Sequence, residues 1–357
     1  MRLVEFSGPG SLLDSFLALP GLLYAGDPRW IAPSREALAA ALSPDSPFFQ
    51  AGDARHFLAL RADRPVGRVT AIRNYRLEAR EGSVGLLGFF ECEPDAAISE
   101  RLLAAALAHL VAAGLRTVRA PVDFDLWHRS RLMTEGFDES PILLESYNKP
   151  YYPRLFLRFG FREVDRSVST EVTDLPAVLQ RLLPRHTSAL ARGFAFRSLQ
   201  GQPLAPAVHL LYRLAMEACA GKPGYTEISE QEFLNAYGGL GVRLDPDLVL
   251  VADSGVGEPA GFLVGFPNVL PPRSGGNGDL PALNILTVAV LPAYRGNGLG
   301  QALVAEVYRR ALRKGYRSAH HCLLREGSPA TRLDAGMGRV HKRYVLYEIT
   351  PGDAAAR

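Results

Sequence analysis

The residues best suited to chemistry form one short run, Arg295-Gly296-Asn297-Gly298-Leu299-Gly300, with glycine at every second position ahead of an apolar-periodic segment. Glycine has no Cβ, so three of them let a ligand approach the backbone closely. A strand that feeds a helix through such a loop aims several N–H groups at one point, where the helix dipole also favours negative charge. That point suits a pyrophosphate, and Arg295 can add a charge-assisted contact. Other nucleotide loops do not fit. The residue after Gly300 is Gln301, so the spacing is G-x-G-x-G and not the dinucleotide G-x-G-x-x-G, and no Gly-Lys-Ser/Thr closes a P-loop. A plain turn would not need three alternating glycines at a helix start.

Other polar clusters are weaker. Asp123, Asp125, Glu135, Asp138, Glu139 and Glu145 are interleaved with Trp127 and Phe137 and offer a cationic amine a partner, although a charge run is ordinarily a solvated face. Tyr147, Tyr151 and Tyr152 read as packing aromatics with hydrogen-bonded hydroxyls. His320 and His321 are neighbours on a strand and point to opposite faces, so they cannot jointly hold one metal. With His341 the only other histidine nearby, no metal site is expected.

The elements that must position the glycine run occur twice. Phe57 to Arg61, a turn at Asp63-Arg64-Pro65, and Val66 to Ile72 read as a hairpin, and Leu248 to Ala252, a turn over Asp253 to Pro259, and Ala260 to Phe266 repeat it. Each hairpin leads to an apolar strand, Val84 to Phe90 or Ile285 to Val290, and then to a helical pattern. Leu102, Leu103, Ala106, Leu107, Leu110 and Val111 mark one helix, and Leu303, Val304, Val307 and Leu312 the other. Gly114 and Gly315 end them as left-handed caps. Strands at Leu115 to Val118 and Tyr316 to Ala319 follow. Val164 to Thr173 alternates like a strand, and Asp174-Leu175-Pro176 opens a helix, which places a boundary near Asp165. Ser328 before Pro329 reads as another helix cap. The segment Leu270 to Asp279 is too rich in Pro and Gly for a regular element and is expected to be a mobile loop beside the second site.

The two loops differ. Where the second half has its glycines, the first has Glu91-Cys92-Glu93-Pro94-Asp95-Ala96-Ala97-Ile98-Ser99-Glu100, without a glycine. Glu93 and Asp95 suit a helix N-terminus but repel a pyrophosphate. One cofactor per chain is therefore expected, in the second half.

Arg295 to Gly300 resembles motif A of the GNAT acetyltransferases, Arg/Gln-x-x-Gly-x-Gly/Ala. Over the whole chain the sequence is similar to a bacterial family of tandem GNAT proteins through Asp27-Pro28-Arg29-Trp30, Gly88-Phe89-Phe90-Glu91, Glu135-Gly136-Phe137-Asp138, Tyr147-Asn148-Lys149-Pro150-Tyr151-Tyr152 and Lys342-Arg343-Tyr344. The resemblance implies an α+β fold of αβα layers. It would comprise two tandem GNAT-like domains, 1–165 without an intact cofactor loop and 166–357 binding acyl-CoA, each a mixed, mainly antiparallel sheet flanked by helices. It also implies that the amides of Arg295, Gly296, Asn297, Gly298, Leu299 and Gly300 hold the coenzyme A pyrophosphate and that Val288 and Val290 line the pantetheine arm. Acetyl-CoA or another acyl-CoA would be co-substrate. The family's usual base falls near Asn284, which cannot take a proton, and its usual tyrosine near Leu333-Asp334. Glu326, Tyr344 and Asp279 are the substitute candidates.

Composition bounds the remainder. The chain has 357 residues, 47% of them apolar and 22% charged, with a net charge of +3. That suits two globular domains at about 100–200 residues each. No basic block is dense enough to follow a nucleic-acid backbone. Leu102 to Leu115, the longest apolar stretch, is broken by His109 and is shorter than the roughly 20 residues of a membrane span. No secretory signal is visible, and Cys92, Cys219 and Cys322 read as reduced core residues, which points to the cytoplasm. The expected function is N-acyl transfer from acyl-CoA to a small-molecule primary amine. The alternative is a catalytically silent acyl-CoA sensor or scaffold, and a tRNA-dependent aminoacyl transferase is disfavoured because such enzymes do not use coenzyme A.

Overall fold

In a computed structural model, residues 1–238, 244–269 and 282–350 are described. Leu270 to Asp279, the expected loop, lies outside them, as does the candidate Asp279. The first half runs β1 (Arg2–Phe6), α1 (Ser11–Leu23), α2 (Arg35–Leu42), β2 (Gly52–Arg61), β3 (Arg64–Asn74), α3 (Tyr75–Glu81), β4 (Val84–Cys92), α4 (Ala96–Ala112), β5 (Thr117–Ala120), β6 (Leu132–Glu135) and α5 (Tyr152–Phe159). Strand β7 (Arg162–Val172) spans the expected boundary at Asp165. The second half runs α6 (Leu175–Ala191), β8 (Ala195–Ser198), α7 (Leu204–Cys219), α8 (Glu230–Tyr237), β9 (Val249–Asp253), β10 (Pro259–Pro267), β11 (Leu283–Val290), α9 (Leu299–Arg313), β12 (Ala319–Arg325) and β13 (Arg339–Ile349).

Both hairpins form as the order of strand, turn and strand predicts, β2 with β3 and β9 with β10. The patterned helices are α4 and α9, followed by Gly114 at φ 87° and Gly315 at φ 91°, the left-handed value a stop there needs. Asp174 caps α6 through the Ala177 N–H at 3.0 Å. Two expectations shift. The strands after α4 and α9 begin later than the apolar residues suggest, at Thr117 and Ala319, because the glycine turn consumes the first residues. Ser328 caps no helix: Pro329–Arg332 is a short 3₁₀ turn, and the Ser328 hydroxyl donates instead to the Arg325 carbonyl at 2.7 Å.

The described strands make one sheet in the order β1-β2-β3-β4-β5-β13-β7-β12-β11-β10-β9-β8, with β6 also on β13. Pairing is antiparallel except β4 with β5 and β11 with β12. The middle of the sheet is an exchange. β7, from the junction, pairs with β12, while β13, from the end of the chain, pairs with β5. Helices cover both faces in each half. α4 and α5 pack around Leu102, Leu103 and Phe156, and α1 and α2 around Phe16 and Leu42 on the opposite face. In the second half α6 and α9 close over Leu182, Leu303 and Tyr308, and α7 over Leu211, Leu214 and Phe262.

Candidate functional site

Helix α9 starts behind Gly298, which holds φ 75° and supplies no side-chain cap. The first amides of a helix have no intrahelical acceptor. Here they are left for another group, and Gly296 at φ 81° turns the loop so that it lies against the helix start. Gly300 also needs its lack of a side chain. A Cβ there would lie 3.2 Å from Leu333 Cδ2 and 3.8 Å from both Val288 Cγ1 and Val290 Cγ2. Arg295, Gly296, Asn297, Gly298, Leu299, Gly300, Val288 and Val290 are thus brought to one place.

The strand leading to this loop is open on one edge. Val264 pairs with Thr287 and Gly265 with Ile285, so Leu286 is an extra, bulged residue in β11. On its other side β11 pairs with β12 only at Leu283, Asn284 and Ile285. Beyond Ile285 both strands continue without pairing, which leaves a slot whose wall carries unpaired backbone groups leading to the glycine loop.

The first half is an internal control. Gly67 pairs with Cys92 as Gly261 pairs with Val290, so Cys92 is the counterpart of Val290 and Glu91 that of Ala289. There the edge is filled: the Tyr152 hydroxyl accepts from the Cys92 N–H at 2.9 Å, and the Tyr151 hydroxyl donates to the Cys92 carbonyl at 2.7 Å. Asp95 caps α4 through the Ala97 N–H at 3.0 Å, and Arg61 and Arg64 pair with Glu93 and Asp95. A small cavity of about 30 Å³ remains beside Arg68, Glu91 and Asp123.

Several arginines gather around the glycine loop. The Arg295 guanidinium donates to the Val290 carbonyl at 3.1 Å and to the Ala218 carbonyl at 2.8 Å, so it ties the loop to β11 and α7. Two bases reach the loop from α6 and the residue that follows it. Arg192 donates to the Asn297 carbonyl at 2.8 Å, and Arg185 Cδ lies 3.1 Å from where a Cβ on Gly298 would be. Sequence reading missed both, because α6 is remote in sequence from the glycines; the available signal was two arginines seven positions apart, one on α6 and one just past its end.

The candidates for proton transfer separate. Glu326 accepts from Arg343 at 2.6 Å and lies in a surface groove of about 560 Å³ lined by Glu163, Asp165, Arg166, Arg325 and Ser328, with none of the loop residues. Tyr344 is fully buried, and its hydroxyl donates to Glu145 Oε2. Glu145 Oε1 accepts from Ser169 at 2.5 Å, and Cys322 of β12 lies beside this carboxylate. Burial raises the Glu145 carboxyl above its ordinary value against the pull of Ser169 and Tyr344, and burial with the Glu145 charge holds the Tyr344 phenol well above its own. Glu145 was legible only as one member of an acidic run. At the tyrosine position of the resemblance, Asp334 is buried and accepts from Thr170 at 2.9 Å.

Asn284, at the base position, belongs to a polar row. Its amide donates to Asn268 at 2.9 Å, and His320 Nδ1 donates to its carbonyl at 2.9 Å. His321 faces the other side of the sheet, where its Nε2 is 2.7 Å from the Tyr308 hydroxyl. The two histidines therefore point apart, as strand geometry predicts. Burial lowers both to about 4.

Comparison with known proteins agrees with this geometry. Residues 208–332 match the model of the "Acetyltransferase (GNAT) family". The chain is 30% identical over 263 residues to "Bacterial ceramide synthase" of Caulobacter vibrioides, covering 72% of this chain and 67% of that protein. It is 26% identical over 279 residues to "Protein YghO" of Escherichia coli, covering 75% and 69%. The fold aligns over 98% of both chains, at 14% identity and a TM-score of 0.55, with a tandem GNAT protein from the clavulanic acid biosynthesis pathway. Sheet order, the bulged β11, the glycine loop at α9 and these matches together identify the chain as a tandem member of the GNAT acetyltransferase superfamily.

Proposed function

We propose that the protein is an acyl-CoA-dependent N-acyltransferase acting on a primary amine. The observation that carries this reading is the unpaired edge of β11 leading to the uncapped start of α9, matched in the first half by an edge and a helix start that are already filled. The residues suit the cofactor: amides and Arg185 and Arg192 for the phosphates, and strand edge for the amide-bearing pantetheine arm. In the reaction the amine nitrogen attacks the thioester carbonyl carbon. The C–N bond forms, the C–S bond breaks, the nitrogen loses one proton and the departing sulfur gains one. Tyr344 and Glu145 are the proton-handling pair of this proposal, a buried phenol–carboxylate hydrogen bond with Cys322 of β12 beside the same carboxylate.

The name of the Caulobacter relative supports an acceptor class. A ceramide is a long-chain amino alcohol carrying its acyl group on nitrogen, and we extend that class to this chain. The test is release of free thiol from acyl-CoAs of graded chain length in the presence of amines, with the N-acyl product identified by mass. Turnover with long-chain amino alcohols supports the reading in full, and turnover with short amines alone moves the acceptor class. Binding of acyl-CoA without thiol release for any amine favours a silent sensor, the reading motivated by Asn284 at the position of the base.

A further inference from the structure

We propose that Glu171, His320 and His341, with Glu139, form a site for one divalent transition metal of the zinc class. The site is separate from the glycine loop, and the proposal does not rest on the acyl-transfer reading. Its parts come from three strands adjacent in the sheet, β13, β7 and β12, and from the segment after β6 that carries Glu139. One ligand atom each from Glu171, His320 and His341 lies within 4.8 Å of the others. His320 Nε2 is 3.9 Å and His341 Nδ1 3.8 Å from the Glu171 carboxylate, and His341 Nδ1 is 3.5 Å from Glu139. A tetrahedral zinc at its usual bond lengths sets ligand atoms about 3.3 Å apart, so the two histidine–Glu171 distances must shorten by about half an ångström and the widest separation, at most 4.8 Å, by up to about 1.5 Å.

What distinguishes the cluster from a chance gathering of polar groups is the other nitrogen of each ring. A metal-bound imidazole characteristically donates its second N–H to a carbonyl or carboxylate, which fixes the tautomer and turns the free lone pair on the metal. His320 Nδ1 donates to the Asn284 side-chain carbonyl at 2.9 Å, and His341 Nε2 donates to the Ser140 backbone carbonyl at 3.1 Å. Both rings are almost fully buried, 3% and 4% exposed, and both spare nitrogens face Glu171. Asn284 is itself fixed by Asn268, which also bonds Pro141 and Leu143. Two nitrogens and two carboxylate oxygens suit zinc better than calcium or magnesium.

A cation already occupies the mouth of the cluster. Arg339 bonds Glu139 at 2.5 Å and Glu171 at 2.7 Å, with Nη2 3.4 Å from His341 Nδ1. Its side chain is 57% exposed, so it can swing into water and leave its two carboxylates to an incoming ion. Because Glu139 and Ser140 belong to the segment after β6 and the other ligands to the sheet, the metal would pin that segment across the polar row.

The experiment is titration of chelator-treated, full-length protein with Zn²⁺ against a chromophoric competitor, together with Co²⁺ absorption and thermal unfolding. One equivalent is expected, with an intense tetrahedral Co²⁺ spectrum and a raised Tm. Asn284→Ala should weaken binding about 10- to 100-fold. His320→Ala and His341→Ala should weaken it further and abolish the shift in Tm. Arg339→Ala should bind as tightly or more tightly, since it removes a competing cation. Acyl-CoA binding and circular dichroism report whether each variant is folded, and Glu171→Gln stands in for a histidine variant that is not. Folded wild-type protein that takes up no zinc, or uptake indifferent to these ligand substitutions, overturns the site.

Discussion

Gly298→Val tests the glycine loop against its internal control. Gly298 sits at φ 75°, where a β-branched residue is strained by about 1–3 kcal/mol, and its new Cβ would meet Arg185 Cδ at 3.1 Å. The loop relaxes by turning its amides away from the phosphate position. Loss of one hydrogen bond to a charged group costs about 1.5–3 kcal/mol, equivalent to about 10- to 150-fold in affinity. Ala96→Val makes a matching change in the first half, at the first residue of α4, where Asp95 already caps the helix. Calorimetric titration with acyl-CoA should give one site per chain in the wild type, the same site and affinity in Ala96→Val, and weakened or lost binding in Gly298→Val. Two sites per chain, or equal effects of the two substitutions, would refute the assignment.

Arg192→Ala should lower acyl-CoA affinity by about 10-fold and flatten its dependence on salt, because the charge it removes acts on a phosphate in partly exposed surroundings; calorimetry at two ionic strengths reads both. Tyr344→Phe should reduce kcat by about 100-fold or more with acyl-CoA affinity unchanged, and should cost about 1–3 kcal/mol of stability by leaving Glu145 with one fewer donor; unchanged turnover removes the pair from the mechanism. His56 is buried between Phe6 and Phe16 and bonds Thr70, and burial lowers it from 6.5 to about 4. A depressed value means stability present above pH 6.5 and lost as the pH falls towards 4, about 3 kcal/mol in all. Urea unfolding at pH 7 and 4.5 should show a smaller pH dependence in His56→Gln, and an unchanged one would place the acid sensitivity elsewhere.

Much of the fold was legible because it rests on local periodicity. Short apolar runs bounded by turn residues marked β2, β3, β9 and β10, whose central residues are buried in succession because both faces of the sheet are covered, and 3.6-residue spacing marked α4 and α9. The exchange of β7 and β13 left no trace in local sequence: Val164 to Thr173 alternates identically whichever strand lies beside it. The glycine turn at the start of α9 was legible because glycine at a left-handed position before a helix has few other uses. The contacts of Arg295 were not, since only the fold brings the Ala218 carbonyl of α7 within its reach. Likewise His320 and His341 are 21 residues apart, and only β7 between their strands brings them to one carboxylate.

The exchange also ties a first half with a filled strand edge and a capped helix start to the groups around the glycine loop's half. β12 forms one wall of the slot, and its outer neighbour is β7, the strand that leaves the first half. Glu145 lies in the first half, while its partners Ser169, Tyr344 and Cys322 lie on β7, β13 and β12. Asn268 at the end of β10 bonds Pro141 and Leu143 of the first half as well as Asn284. Duplication with exchanged strands therefore supplies the glycine-bearing half with a sheet neighbour, a covering segment and a buried carboxylate. In the first half Tyr151 and Tyr152 close the corresponding edge, so that half contributes through packing and through these shared groups.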